Sequence, residues 1–139
     1  MFLLIRKISE YTHHDIILGI FNTKEKADLA KSFYIKRCNY YDKWREQAYR
    51  EVNLDIDILV QDVSDLIKKE NYKTPLTTVY VVSCFIEGFG QVTRFIEAIF
   101  ETEAKTKKYI ETKRMEEPEY QPTWHKSETL NVNEYYFNN

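Results

Sequence analysis

A chain of 139 residues has the length of one domain, and its 43% hydrophobic and 30% charged residues describe a folded globular protein rather than a disordered tail. Lys and Arg (20) nearly balance Asp and Glu (22), so no global positive field draws it to nucleic acid or an anionic membrane, and three glycines leave little room for phosphate-cradling loops. No apolar run approaches the roughly 20 residues of a membrane span, the opening run Phe2 to Ile5 is far shorter than the roughly 7 to 15 of a signal-peptide core, and the expected location is the cytoplasm.

The chain opens on Phe2 to Ile8, short and apolar enough to be a buried strand. A polar turn through Tyr11-Thr12-His13-His14-Asp15 leads into a second strand, Ile16 to Phe21. His13, His14 and Asp15 bear ligand and acid-base groups, but adjacent strand residues point apart and loop residues are solvated, so no metal is expected there. Thr23 then stands at an N-cap position with Glu25 near the positive end of the dipole, and helical patterning runs over 24–51, about 42 Å at 1.5 Å per residue, with Asn39 as a break point. At 100° per residue, Leu29, Ala30, Phe33, Tyr34, Tyr40, Tyr41, Trp44 and Ala48 fall on one arc, too wide for a helix packed on one side only.

Such a helix either packs on several sides or offers aromatics to a partner, and Arg37, Tyr40, Tyr41 and Trp44 are its candidate binding residues. Lys36, Lys43 and Arg50 flank the arc in a manner suited to single-stranded nucleic acid, but 8 basic against 5 acidic groups over 24–51 is a small surplus, and nucleic acid is disfavoured. Arg37 is expected to meet Asp55 or Asp57. A third strand follows, with Val52, Leu54, Ile56, Ile58 and Val60 alternating with polar neighbours. The acids Asp55, Asp57, Asp62, Asp65 and Glu70 lack the glycine and loop spacing of a calcium site and read as a solvated face or a surface for a basic partner. A charged connector, 64–77, holds a helical turn around Leu66 and Ile67 and ends near Pro75.

The second half reads like the first. Val79 to Ile86 is a strand, Gly88-Phe89-Gly90 a turn, and Val92 to Phe100 a returning strand, although Val92, Phe95, Ile96, Ile99 and Phe100 also fit helical spacing. An internal repeat decides for strand: Gly19-Ile20-Phe21-Asn22-Thr23-Lys24 matches Ala98-Ile99-Phe100-Glu101-Thr102-Glu103 at an offset of 79, and Val52-Asn53-Leu54-Asp55 matches Leu130-Asn131-Val132-Asn133 at 78. Thr102 caps a helix that Pro118 and Pro122 stop near Met115, and Leu130 to Phe137 is the closing strand. Between them Trp124 and His125 stand in a loop, either as a recognition pair or with Trp124 as a plug on the sheet edge. Cys38 and Cys84 form no CxxC and have no His at ligand spacing, so reduced thiols, no metal and no cofactor are expected.

The fold class that follows is α+β: two tandem ββαβ repeats, 1–63 and 78–139, joined by 64–77, with antiparallel sheets ordered 2-1-3 and covered by helices in one pseudo-symmetric domain. The phrase Ile20-Phe21-Asn22-Thr23-Lys24-Glu25-Lys26-Ala27, a hairpin end running into a helix, resembles small uncharacterised domains of phage and bacterial genomes. The resemblance covers both halves and implies the fold without implying a reaction. A composition weighted toward Phe, Tyr, Ile, Asn and Lys fits the AT-rich genomes of many phages and low-GC bacteria.

No GxSxG, HExxH, Walker or Rossmann glycine pattern is present. The expected function is a non-enzymatic binding protein of phage or mobile-element origin that acts on a protein partner, as an inhibitor of a host factor, and forms a homodimer. The alternative is capture of a small, nucleotide-like ligand between the halves by Arg, Tyr and Trp side chains. An enzyme built on His13, His14 or His125 would require one of them to lie beside a carboxylate in a cleft.

Overall fold

The computed structural model describes residues 1–8, 15–45, 57–69, 75–116 and 123–137, with backbone alone over 39–45. It is α+β, and its two halves follow the same order of elements. In the first half β1 (Phe2–Arg6) and β2 (Ile16–Phe21) pair antiparallel, α1 (Lys24–Arg45) follows, and β3 (Ile58–Asp62) returns antiparallel to β1. In the second, β5 (Thr78–Gly88) and β6 (Gln91–Phe100) form the hairpin, α2 (Glu103–Glu116) follows, and β7 (Thr123–Asn131) pairs with β5. A 3-10 turn, Ser64–Leu66, and the short β4 (Ile67–Lys68), parallel to β6, make the connector part of the second sheet. The sheet orders are β2-β1-β3 and β4-β6-β5-β7, so the expected 2-1-3 arrangement holds in both halves.

Local chemistry starts both helices as expected. The Thr23 hydroxyl accepts from the amide of Lys26 and the Thr102 hydroxyl from that of Lys105, each at 3.3 Å. Residues 46–56, where the first helix was to continue and the third strand to begin, lie outside the described residues, as do His13 and His14. No described helix is long and apolar enough to cross a membrane.

The inner faces of the two sheets pack on each other: Leu3, Ile5, Ile17 and Ile20 of the first meet Val79, Val81, Ile99 and Leu130 of the second. On the outer faces, Ala27, Ala30 and Tyr34 of α1 cover Leu4, Leu18, Phe21 and Ile58, while Tyr109 and Ile110 of α2 cover Val82, Ala98 and Phe100. The result is four layers, helix on sheet on sheet on helix, with apolar side chains on both faces of each sheet. The first helical arc is thereby divided: Ala30 and Tyr34 turn inward, whereas Leu29 and Phe33 are exposed.

Each hairpin carries one bulge. Leu4 pairs with Gly19 but Ile5 with Ile17, leaving Leu18 as the extra residue; Val82 pairs with Ala98 but Ser83 with Ile96, leaving Glu97. A bulge shifts the alternation by one, so Ile96 and Ile99 both face the inner core although they stand three apart. That shift is the physical source of the helix-like spacing seen in the sequence of β6.

At the β5–β6 turn, Phe89 and Gly90 both adopt positive φ, 53° and 78°. A turn of this kind favours Asn-Gly, and the Phe89 side chain is wholly exposed at 104%. Phe89→Asn is therefore expected to stabilise the protein by about 1 kcal/mol, read as a raised urea midpoint with an unchanged slope.

The closing strand differs from the sequence expectation. β7 spans Thr123–Asn131, and the chain then turns at Asn133, whose φ is 69°, and crosses to the first sheet. The amides of Asn133 and Tyr136 donate to the carbonyls of Ile20 and Leu18, each at 2.8 Å, and so cover the open edge of β2. Gly19 permits this crossing, because a Cβ there would lie 2.9 Å from the carbonyl oxygen of Glu134 and from the Phe21 ring. The aromatic run that resembled a strand is this arm, with Tyr135 and Phe137 packed against Phe21 and Tyr34.

Candidate functional site

Trp124 and His125 lie within β7 rather than in a loop, and as strand neighbours they point to opposite faces. On the inner face, register aligns Arg94, Phe85 and Trp124 across β6, β5 and β7. Trp124 stacks on Phe85 at 5.5 Å with rings 9° apart, and the Arg94 guanidinium sits 5.2 Å from the Phe85 ring centre. On the outer face the next row is Phe95, Cys84 and His125. The two residues taken together in the sequence thus serve different layers, Trp124 as packing near the edge of the sheet and His125 in a polar cluster beneath α2.

That cluster is assembled by register and by the bulge. Cys84 and His125 are direct cross-strand partners, and Glu97, the extra residue of β6, turns to the same face. His125 Nε2 lies 2.8 Å from Glu97 Oε2, and one ligand atom each from Cys84, Glu97 and His125 falls within 4.8 Å of the others. The His125 side chain is buried, at 1% exposure, while Glu97 and Cys84 are partly accessible. Tyr109 of α2 lies beside Glu97, and burial first, then the nearby Glu97 charge, pushes its hydroxyl up to about 12. Tyr109 therefore stays protonated far above neutral pH. Phe100, with its ring centre 5.2 Å away, and Lys113, whose Nζ is 5.5 Å from the Tyr109 ring centre, hold it in place.

Thiol, imidazole and carboxylate in one place support two kinds of chemistry, ligation of a metal ion or activation of the thiol by a carboxylate-oriented imidazole. Of the two conditions set for an enzymatic histidine, His125 has the carboxylate neighbour, but its side chain is buried at 1% exposure rather than open to a cleft. Cys84 and Glu97 carried no sequence signal: positions 84, 97 and 125 match no ligand spacing, and only the register with its bulge joins them. Among the described residues this is the group of three or more His, Cys, Asp or Glu with metal-holding geometry.

The other sequence candidates belong to α1. Arg37 is exposed, and Tyr40, Tyr41 and Trp44 lie within the helix, their side chains outside the described residues. Beneath α1 the cation is Arg6, which donates to the Tyr34 hydroxyl at 2.7 Å and stands within electrostatic reach of Asp57. Asp55 is outside the described residues. Within the acidic stretch, Asp62 accepts from the Ser64 hydroxyl at 2.6 Å and its amide at 3.0 Å, and these bonds, the hydroxyl first, lower its pKa. On the solvent side of α1, Leu29 and Phe33 are 53% and 46% exposed, and Tyr135 of the C-terminal arm, 46% exposed, lies 6.1 Å from the Phe33 ring. Comparison of the chain with protein-family models, with curated proteins and with solved structures returns no match.

Proposed function

We propose that this chain is a non-enzymatic binding protein of phage or other mobile-element origin, acting stoichiometrically on a protein partner as an inhibitor of a host factor would. The observation that carries this reading is the exposed apolar face of Leu29, Phe33 and Tyr135. Leu29 and Phe33 are one helical turn apart on α1, and Tyr135 is brought beside Phe33 by an arm whose backbone is tied to β2. Large apolar groups gathered on one exposed face mark interaction sites, and aromatic anchors supply most of the energy at such interfaces. Positions 40 and 44 continue the spacing of 29 and 33 along the helix.

The two halves are read as copies of one ββαβ unit. Their shared strand order supports this, as do the bulges at Leu18 and Glu97, which stand 79 residues apart like the sequence anchors.

Native mass spectrometry of the tagged protein, recovered gently from a lysate of its natural host, tests the partner reading. The expected result is a polypeptide bound in fixed ratio that Phe33→Glu removes while leaving the fold intact by circular dichroism. A wild-type chain recovered alone, or a partner retained in full by Phe33→Glu combined with Leu29→Glu, overturns it.

A further inference from the structure

We propose that Cys84, Glu97 and His125 bind a borderline divalent metal ion, zinc by its chemistry, with a fourth coordination position left to water or a small ligand. This goes beyond the partner reading and rests on a different part of the molecule.

The chain contains its own control. In the first half, pairing and bulge place Arg6, Leu18 and Ile58 where the second half has Cys84, Glu97 and His125. Leu18 and Ile58 are fully buried beneath α1. A sheet of this order, with its bulge in this place and a helix above it, is therefore packed well by Leu and Ile at these two positions. An imidazole there must be desolvated and a carboxylate partly so, which costs more than an apolar pair of similar size. Their presence in the second half needs a reason other than packing.

The donor set supplies one. A thiolate and an imidazole with one carboxylate select zinc, cobalt or a similar ion over magnesium and calcium, which take oxygen ligands. Tetrahedral zinc at ordinary bond lengths holds its ligand atoms about 3.5 Å apart. The ligand atoms here lie within 4.8 Å of one another, and the closest approach is 2.8 Å between His125 Nε2 and Glu97 Oε2. A metal ion would stand where these two atoms now meet and needs them to part by about 0.7 Å, within reach of a rotation of the Glu97 carboxylate. Tyr109 stands close enough to Glu97 to feel its charge, in the place outer-shell partners of metal ligands take. Glu97 and Cys84 are partly accessible, which leaves an entry path.

Cobalt(II) titration of the chelator-treated full chain is the test. The expected result is one equivalent bound, with the intense visible bands of four-coordinate cobalt and a sulfur-to-metal charge-transfer band, all displaced by zinc. Cys84→Ser removes the charge-transfer band, His125→Gln and Glu97→Gln weaken binding about a hundredfold or more, and Tyr109→Phe about tenfold. Cys38→Ser changes nothing. Folding of each variant without metal is confirmed by circular dichroism, so a lost signal reports the site. A wild-type chain that binds no cobalt, or one whose spectrum survives Cys84→Ser, overturns the proposal. So does rapid alkylation of Cys84 that depends on His125 in a chain with no affinity for cobalt, which assigns the cluster to thiol chemistry instead.

Discussion

Replacing Glu97 with Leu and His125 with Ile in the same chain is expected to raise the stability of the metal-free protein by about 1 kcal/mol, the low end of what apolar replacement of a buried polar pair yields, because Glu97 keeps 29% of its side chain in solvent. The urea midpoint rises while the slope stays the same. The new side chains are those already buried at the corresponding places in the first half, Leu18 and Ile58, so the sheet is known to accept them. Cobalt binding is lost in the same variant. Stability gained together with metal affinity lost identifies the cluster as kept for binding; a fall in stability instead would mean that the His125–Glu97 pair helps to hold β6, β5 and β7 in register.

Arg94→Ala is expected to cost about 2 to 4 kcal/mol in urea denaturation. Arg94 is 6% exposed, and its guanidinium donates to the Ser83 hydroxyl at 2.9 Å, to the Asp15 carbonyl at 3.0 Å and to the Glu128 carboxylate. Asp15 leads into β2, so this one side chain joins the two sheets as well as filling the space beside Phe85. Glu128 is 43% exposed and finds water once its partner is removed, so the loss comes from the buried contacts rather than from a stranded charge. Arg94→Lys keeps a charge but cannot reach three acceptors with one fork, and it should lose more than half as much as alanine. A loss below about 0.5 kcal/mol for Arg94→Ala would show that the sheets need only their apolar contact.

Much of the architecture follows from short-range patterns. Thr23 and Thr102 announce helix starts because a hydroxyl at that place satisfies an amide of the first turn, and both do so. Alternating or continuous apolar runs mark β1, β2 and β5, and the geometry of a strand, a helix and a returning strand leads to the 2-1-3 order. The last strand was misplaced for an equally physical reason. Along Thr123–Asn131 the buried residues are His125 and Leu130 alone, since β7 lies at the edge of its sheet and half-exposed polar groups suffice there. Leu130 to Phe137 looked the better strand because Tyr135, Tyr136 and Phe137 are aromatic, yet these residues serve the arm that crosses to β2.

The sequence by itself determined the α+β class, the strand-strand-helix-strand order of each half and the two helix caps, because each depends on residues within a few positions of one another; β4 was not legible in it. Only the tertiary structure decided which polar groups meet. Cys84, Glu97 and His125 come from three strands, and a single extra residue in β6 decides that Glu97 faces α2 rather than the inner core. A shift of one residue in a strand exchanges its two faces, and no local pattern records on which side of a bulge a carboxylate will fall.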